Sequence, residues 1–259
     1  MSYTTLEKIE IIYEMYQKGY LGDKTLPEDT NPNLDTQSEE NAVYFTLPMA
    51  LNYQRNSYTL WESAKKTFED SQTKFLFYPK KVISTDYVDI QKALTKHRLA
   101  IQVNKQTDIW IRLCKTFCEL SNGSVIAFIS NLDNDVDKIR NFMQGKAKKK
   151  FPYLSGKKLC NYWLFVLTNY TQIPLKNISD IYIAADRHII RASYKLGLIT
   201  KEQEESSRAQ DLVIQAWTKV LKDSKYNPID LQNPIWLWSR NDFKALQSFD
   251  NMKIEKNIE

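Results

Sequence analysis

Apolar side chains recur at helical spacing along most of this chain, and that periodicity constrains the fold more than any other feature of the sequence. Near the N-terminus, Leu6, Ile9 and Tyr13 stand three and four residues apart and would share one face of a helix. Comparable patterns predict helices over residues 4–18, 43–56, 57–70, 86–96, 105–121 and 134–143. We therefore expect an all-α protein.

Two segments interrupt the helical pattern. Residues 22–41 are polar, acidic and proline-bearing, which predicts a loop or linker. Residues 74–83, KFLFYPKKVI, combine aromatic and β-branched side chains with Pro79, which predicts a short extended piece.

Residue counts exclude several classes of function. The chain has six glycines in 259 residues, and their positions cannot assemble the phosphate loop of a Rossmann or Walker site. Of the three cysteines, Cys114 and Cys118 lie one helical turn apart and Cys160 is distant, and there are two histidines. This set predicts no disulfide framework, no iron–sulfur cluster and no zinc site. We expect no metal, no cofactor and a reducing, cytoplasmic environment.

The sequence carries no sign of a targeting or membrane segment. Acidic side chains intersperse the N-terminal residues, and the longest strongly apolar run, Tyr162 to Leu167, is far too short to span a bilayer. The formal net charge is +5 and the isoelectric point is near 8.8, which is compatible with a nucleic-acid partner. We expect a cytoplasmic protein without a membrane partner.

The most basic stretch runs from Arg140 to Lys158 and contains no acid. It ends in the turn-forming sequence FPYLSGKK, which is followed by the apolar, aromatic sequence CNYWLFVLTNY. Backbone N–H groups at such a turn and helix start can bind a phosphate. The run is therefore either an anion site for DNA or a solvated loop with surplus lysines.

Three motifs follow one another between residues 47 and 191. Residues 156–161, GKKLCN, fit the pattern G-x-K-x-A-N with cysteine in place of alanine, and residues 186–191, DRHIIR, fit D-x-H-[IV]-x-R at every position. Residues 47–64 look like a helix of the form L-L-S-A-Q-A-T-D, with Gln54 at its glutamine. Together these motifs resemble the helix–hairpin–helix DNA glycosylase superfamily of base excision repair. The resemblance covers about residues 42–200.

The departures from the family pattern favour one branch. The hairpin has one residue too many between Pro152 and Gly156 and lacks the first glycine. The four-cysteine motif of the endonuclease III branch is absent, and Lys158 and Asp186 lie farther apart than in that branch. The chain is thus most similar to the branch typified by the archaeal 8-oxoguanine glycosylase.

The resemblance implies a two-lobed, all-α fold with a cleft between the lobes for DNA and a flipped base. It implies four segments: an N-terminal helix with an acidic linker (1–41), a first helical lobe with the base-pocket glutamine (42–145), the hairpin and catalytic lobe (146–200), and C-terminal helices that close the cleft (201–259). The implied partner is double-stranded DNA that contains a damaged or modified base, bound by a monomer.

The implied reaction is excision of a base followed by abasic-site lyase chemistry. Lys158 would attack the sugar C1′ and form a Schiff base, with neighbouring cations helping to keep a free amine available. Asp186 would stabilise the positive charge that develops on the sugar. The alternative roles are a phosphate-contacting lysine and a helix N-cap, and the second of these is compatible with catalysis.

The implied base pocket combines a glutamine with two aromatic rings. Gln54 could offer a donor and an acceptor to a base edge, and Tyr162 and Trp236 could sandwich a flipped base. Alternatively, Gln54 is a surface residue on a helix and the two rings belong to the core. The further residues that we expect to contact the base or the DNA are Arg55, Gly156, Lys157, Asp230 and Gln232.

The segment 227–243 is dense in proline, tryptophan and charge. Pro228 and Pro234 predict a break in regular structure, which would place Trp236 and Trp238 on or next to a loop. The segment would serve base recognition or act as a lid that packs the chain ends together. Upstream of it, His188 is expected to be a hydrogen-bonded helix residue rather than a proton shuttle.

The sequence thus favours a DNA repair glycosylase and abasic-site lyase, with 8-oxoguanine as the preferred base. A second interpretation keeps the chemistry and changes the substrate to another modified base, including a bulky or phage-type one. A third is a DNA-binding relative that uses the hairpin without cleavage.

Overall fold

The chain folds into α-helices and short 3₁₀ turns, in a computed structural model that describes residues 3–243. Within this range no residue belongs to a β-strand, although Asp135 and Lys176 form an isolated parallel bridge. The helices are α1 (Thr5–Gln17), α2 (Glu39–Tyr44), α3 (Ser57–Glu69), α4 (Pro79–Ile83), α5 (Tyr87–Lys96), α6 (Val103–Ser121), α7 (Val125–Ser130), α8 (Val136–Gln144), α9 (Lys157–Tyr170), α10 (Arg187–Lys195), α11 (Lys201–Glu205), α12 (Ala209–Leu221) and α13 (Gln232–Arg240). The predicted all-α class is confirmed.

The chain divides into two units. A central unit comprises Leu26–Ile178 and holds α2 to α9. A terminal unit comprises the segments on either side, of which residues 3–25 and 179–243 are described, and holds α1 and α10 to α13. The four segments predicted from the sequence stay a prediction. None of the helices between residues 3 and 243 combines the length and apolar character needed to cross a bilayer.

The terminal unit is held together by an apolar core to which every one of its longer helices contributes. Ile9 and Ile12 of α1 are fully buried, as are Ile189 of α10 and Trp217 of α12. Trp217 Nε1 donates a hydrogen bond of 2.8 Å to Ser193 Oγ, which satisfies the indole N–H inside the core.

The central unit has an aromatic core. Tyr44 packs against Trp61 and Phe77, with ring centroids 5.8 and 5.6 Å apart. Trp110 meets Phe77 edge to face at 5.6 Å, and its Nε1 donates to the Leu76 carbonyl at 3.0 Å. The indole N–H groups of Trp61, Trp110 and Trp163 each donate to an acceptor inside this unit. These tryptophans therefore fill the core without an unsatisfied indole N–H.

Most of the predicted helices are confirmed. Residues 4–18, 57–70, 86–96, 105–121 and 134–143 correspond to α1, α3, α5, α6 and α8 within a few residues at each end. At the start of α8 the Asp135 side chain accepts the Lys138 N–H at 2.9 Å and caps the helix.

The helix predicted over residues 43–56 is wrong as a continuous element. α2 ends at Tyr44, a 3₁₀ turn covers Pro48–Leu51, and a bend follows up to α3. Proline lacks an N–H and its ring clashes inside a helix, so Pro48 ends the periodic pattern and starts a new turn. Gln54 therefore lies in the bend and not on a helix.

The extended piece predicted over residues 74–83 is also wrong. A 3₁₀ turn covers Lys74–Phe77 and α4 follows at Pro79–Ile83. Pro79 is the first residue of α4, where the missing N–H would have no partner within the helix and the fixed φ suits the helical backbone.

The break in regular structure predicted around Trp236 and Trp238 is wrong, since both residues lie within α13. Pro234 is the third residue of that helix. N–H groups in the first turn of a helix have no carbonyl partner within it, so a proline there leaves the helix intact.

The acidic segment 22–41 is largely irregular, as predicted, with one 3₁₀ turn at Pro27–Asp29 before α2 begins. It is more than a linker, however. Pro27 is buried and the side chain of Glu28 has no solvent exposure, which anchors this segment to the central unit.

Candidate functional site

The basic connection between α8 and α9, residues 145–156, is shaped by local hydrogen bonds. Ser155 Oγ donates to the Lys148 carbonyl at 3.1 Å. The Gly156 N–H donates to the Tyr153 carbonyl at 2.9 Å, which closes the turn directly before α9. These bonds shape the connection between the two helices, which is called the hairpin below. That it acts as the hairpin of a helix–hairpin–helix motif stays a prediction.

The start of α9 differs from the starts of α3, α7 and α8. The N-cap residues that precede those helices are Asn56, Ser124 and Asp135, and their side-chain oxygens accept backbone N–H groups of the first turn. α9 begins at Gly156, which has no side-chain acceptor, and its first turn contains no acid. The positive end of its dipole therefore lacks a capping side chain, which is the arrangement that binds anions at helix N-termini.

Two lysines occupy the first two positions of α9. Lys157 is exposed, and Lys158 is partly buried. Within residues 3–243, the Lys158 ammonium has no hydrogen-bond or ion-pair partner. Lys158 therefore lies in the first turn of α9 and forms no salt bridge with the described residues.

The lysines upstream of the turn form an exposed basic surface. Lys146, Lys148 and Lys149 are exposed, and in the described part of the chain neither Lys148 nor Lys149 has an acidic partner. The fourth lysine of the hairpin, Lys150, is the only one of the four that pairs with an acid within residues 3–243. Its Nζ lies 2.8 Å from Glu119 Oε2. The charge of this hairpin is therefore mostly uncompensated by nearby acids.

Tyr162, one turn after Lys158, is fastened through its hydroxyl. It donates to Glu28 Oε2 at 3.0 Å, and Trp61 Nε1 donates to Glu28 Oε1 at 2.7 Å. Burial raises the pKa of the Glu28 carboxyl to about 7. The Tyr162 ring stacks on Phe165 with centroids 5.8 Å apart and stays partly buried, so this residue has a fixed orientation on α9.

The bend before α3 holds Gln54 and Arg55. Gln54 is exposed and has a positive φ of 50°. Arg55 Nη1 donates to the Leu99 carbonyl at 2.8 Å, which ties the bend to the segment between α5 and α6. One edge of the Arg55 guanidinium thus serves the fold, and its predicted contact with DNA stays a prediction.

The structure brings this bend next to the hairpin. Tyr53, the neighbour of Gln54, stacks on Tyr153 of the hairpin with ring centroids 3.9 Å apart and an interplanar angle of 12°. The two segments are about a hundred residues apart in sequence. Two of the predicted motifs of the central unit are therefore neighbours in space.

Asp186 begins α10 in the terminal unit. Its Oδ1 accepts the Ile189 N–H at 2.9 Å, so the N-cap role is confirmed. The segment before it is held by Gln232, whose Oε1 accepts the Ala184 N–H at 2.8 Å. Both residues of this bond are buried, and Gln232 thus positions the backbone that leads to Asp186.

Trp236 lies beside His188. Their ring centroids are 5.7 Å apart in an edge-to-face arrangement, and the Arg240 guanidinium lies 5.1 Å from the Trp236 ring centroid. His188 Nδ1 lies 3.4 Å from Ser239 Oγ, which agrees with the expected hydrogen-bonded helix residue. Burial lowers the pKa of His188, which favours its neutral form.

Asp230 has a local structural contact. It is exposed, and its Oδ2 accepts the Asn227 N–H at 3.0 Å in the turn before α13. This bond satisfies a backbone donor at the turn and leaves the other carboxylate oxygen for solvent or a ligand.

Sequence reasoning missed two residues of this region. Glu28 sits in a polar loop, and its burial depends on Trp61 and Tyr162, which lie 33 and 134 positions away. Tyr153 stands directly after Pro152, where the family pattern has its first glycine, and it has a positive φ of 60°. The hairpin pattern of the family has the form P-G-x-G-x-K, with its first glycine directly after the proline, and a glycine in a turn often marks a left-handed backbone. This was the sequence signal for the positive φ of Tyr153.

The candidate residues divide between the units. The central unit carries Gln54, Arg55, Gly156, Lys157, Lys158 and Tyr162, and the terminal unit carries Asp186, Asp230, Gln232 and Trp236.

No protein-family model matches the chain, and no curated protein matches it with significance.

Proposed function

We propose that this protein is a DNA glycosylase with abasic-site lyase activity, related to the helix–hairpin–helix superfamily, and that 8-oxoguanine is its preferred base. The proposal includes action as a monomer on chromosomal DNA in the cytoplasm. It combines the motif resemblance with the local geometry of α9 and α10.

The start of α9 is the observation that carries the proposal. The helix start has no capping side chain, its first turn holds Lys157 and Lys158, and exposed lysines lie in the twelve residues upstream, with no acid between them in sequence. A DNA phosphate would bind to the backbone N–H groups and lysines there. Because Lys158 has no ion-pair partner within residues 3–243, no salt bridge there has to break before its side chain reaches a sugar.

The proposed chemistry uses one amine and one carboxylate. The Lys158 amine attacks C1′ of the target nucleotide as the base departs, and loss of the ring oxygen bond gives a Schiff base with the opened sugar. The Asp186 carboxylate stabilises the positive charge that develops on the sugar and assists proton transfer. The N-cap bond of Asp186 to Ile189 fixes the carboxylate for this role and uses one of its oxygens.

The proposed base recognition requires extrusion of the base from the duplex. Gln54 would hydrogen-bond to a base edge or fill the gap that the base leaves, while Tyr162 and Trp236 would stack on the base. Lys158 and Asp186 belong to different units, so the proposal also requires the two-lobed arrangement with a cleft for the nucleotide.

The test is a panel of duplexes that each contain one modified base, assayed for strand nicking and for covalent trapping with borohydride. Borohydride reduces the imine to a stable amine, so a trapped complex reports the Schiff base directly. We expect the 8-oxoguanine duplex to be nicked and trapped. Trapping on another base would change the substrate only, whereas tight duplex binding without nicking or trapping on any base would leave a non-catalytic DNA-binding protein.

A further inference from the structure

A stacked pair of tyrosines joins the bend that carries Gln54 to the hairpin before α9. The rings of Tyr53 and Tyr153 lie 3.9 Å apart and nearly parallel, and both side chains are partly exposed. The Tyr53 hydroxyl donates to Gln102 Oε1 at 3.0 Å. This pair therefore lies at the surface and not in the core.

A lysine completes the cluster. Lys105 Nζ lies 5.0 Å from the centroid of each ring, and the side chain is exposed. Hydrogen bonding of the phenol oxygens to this ammonium raises the pKa of Lys105, with Tyr153 as the largest cause. The same contact lowers the pKa of Tyr153. Lys105 therefore stays charged, and an ammonium has three donors, so it can bind a further anion.

The backbone beneath the rings is strained. Tyr153 has φ of 60° and Gln54, next to Tyr53, has φ of 50°, in the left-handed region that side chains with a Cβ rarely adopt. Glycine would adopt this conformation at lower cost. Tyr153 nevertheless places a large, partly exposed ring at this position, in contact with the Tyr53 ring.

We propose that Tyr53, Tyr153 and Lys105 form a contact with duplex DNA beside the extruded nucleotide. A ring face packs against an unstacked base or its deoxyribose, and the Lys105 ammonium pairs with the adjacent phosphate. The inference rests on the proposed function in one respect, the identity of the partner as duplex DNA.

Three features of the surroundings select DNA as the partner. The exposed lysines Lys148 and Lys149 lie on the same hairpin as Tyr153, five and four residues before it, and neither pairs with an acid in the described part of the chain. Aromatic rings next to cations bind nucleic acids through base stacking and phosphate pairing together. Gln54, which would fill the gap in the duplex, directly follows Tyr53 and would lie at the same place on the DNA.

The experiment measures the affinity of the full chain for a duplex with one tetrahydrofuran abasic-site analogue and for the intact duplex, by fluorescence anisotropy. This probe contains an unstacked site and does not depend on which base is excised. We expect Tyr153→Gly to weaken binding to the abasic-analogue duplex by about tenfold, since loss of one stacked base typically has an effect of that order. Tyr153→Phe keeps the ring and should bind as the wild type does.

Lys105→Gln tests the charge independently of the turn. Lys105 is exposed, so this variant is expected to fold even if Tyr153→Gly does not. It should lower the affinity for both duplexes severalfold and reduce the slope of log affinity against log salt by about one. Lys65→Gln, at an ion pair with Glu69 on α3, is the matched control for charge and should change neither quantity.

The outcomes separate the two proposals. If the wild type prefers the abasic-analogue duplex but folded Tyr153→Gly and Lys105→Gln bind it as tightly, the cluster is not a DNA contact and the glycosylase proposal stands. If the wild type binds neither duplex, the proposed function is wrong and this inference falls with it.

Discussion

Helix α9 of the central unit begins at Gly156 without a capping side chain, whereas α10 of the terminal unit begins at Asp186, whose carboxylate accepts the Ile189 N–H at 2.9 Å. The first turn of α9 carries Lys157 and Lys158 and no acid. The start of α9 can therefore accept an anion from outside the protein, whereas the start of α10 already binds the side-chain carboxylate of Asp186.

The two helix starts are therefore suited to different roles in the proposed reaction. An open helix start with nearby lysines is suited to bind phosphate, while a carboxylate that accepts a backbone N–H at a helix start is held in one orientation. The proposed reaction would use this difference, because it assigns a nucleophilic amine to the first motif and a stabilising carboxylate to the second.

The largest expected effect distinguishes the two lysines at the open helix start. Lys158→Gln should abolish the borohydride-trapped complex, because glutamine cannot form a Schiff base. Lys157→Gln should only weaken duplex binding, since it removes a charge near phosphate. Gel analysis of trapped complexes measures both, and the reverse pattern would show that the nucleophile is Lys157.

The second effect concerns the capped helix start. Asparagine is also a good N-cap, so Asp186→Asn should preserve folding while it removes the charge. Base excision should fall by two or more orders of magnitude, about 3 kcal/mol or more of lost transition-state stabilisation, with duplex binding changed a few-fold at most. Single-turnover kinetics and melting temperature check this. A well-folded variant with a near-normal excision rate would remove Asp186 from the mechanism.

The two helix starts also differ in the buried group that supports them. Behind α9, Tyr162 donates to the carboxyl of Glu28, whereas the segment before α10 is bound by the neutral amide of Gln232. Burial raises the pKa of Glu28 from 4.5 to about 7, so the folded state favours the protonated acid. The stability that this group contributes is fully present below pH 4.5 and falls as the pH rises to about 7.

Each pKa unit corresponds to about 1.4 kcal/mol, so ionisation of Glu28 should cost the folded state about 3 kcal/mol between these limits. Glu28→Gln cannot ionise, its amide oxygen can still accept the Trp61 N–H, and its amide N–H can donate to the Tyr162 hydroxyl oxygen. The support of α9 would then be a neutral amide, as it is before α10. Urea unfolding at pH 5 and pH 8 should show a decrease for the wild type that is absent in the variant. Equal pH dependence of both proteins would contradict the assignment.

The smallest effect comes from giving α9 the cap that α10 has. Gly156→Asp would place a carboxylate at the open helix start and should weaken duplex binding severalfold by competition with phosphate. A Cβ at this position would lie 3.0 Å from the Tyr153 carbonyl, so Gly156→Ala is the control that shares the crowding without the charge. Equal affinity of the two variants would show that phosphate does not bind at this helix start.

Local rules account for the parts of the fold and site that the sequence predicted well. Five helices were placed from apolar spacing, and Asp186 was recognised as a possible N-cap because capping depends on the nearest few residues. The prolines were more difficult. Pro79 and Pro234 were interpreted as helix breakers, but each lies in the first turn of a helix, where proline is tolerated.

What the sequence by itself determined is therefore local: the all-α class, the positions of most long helices, the basic hairpin before α9 and the N-cap of α10. Tertiary structure alone decided which distant residues meet. The burial of Glu28 against Trp61 and Tyr162, and the stacking of Tyr53 on Tyr153, join residues separated by 33 to 134 positions. Periodicity and capping act over a few residues, whereas burial and ring stacking depend on how whole helices pack, and no local pattern encodes that packing.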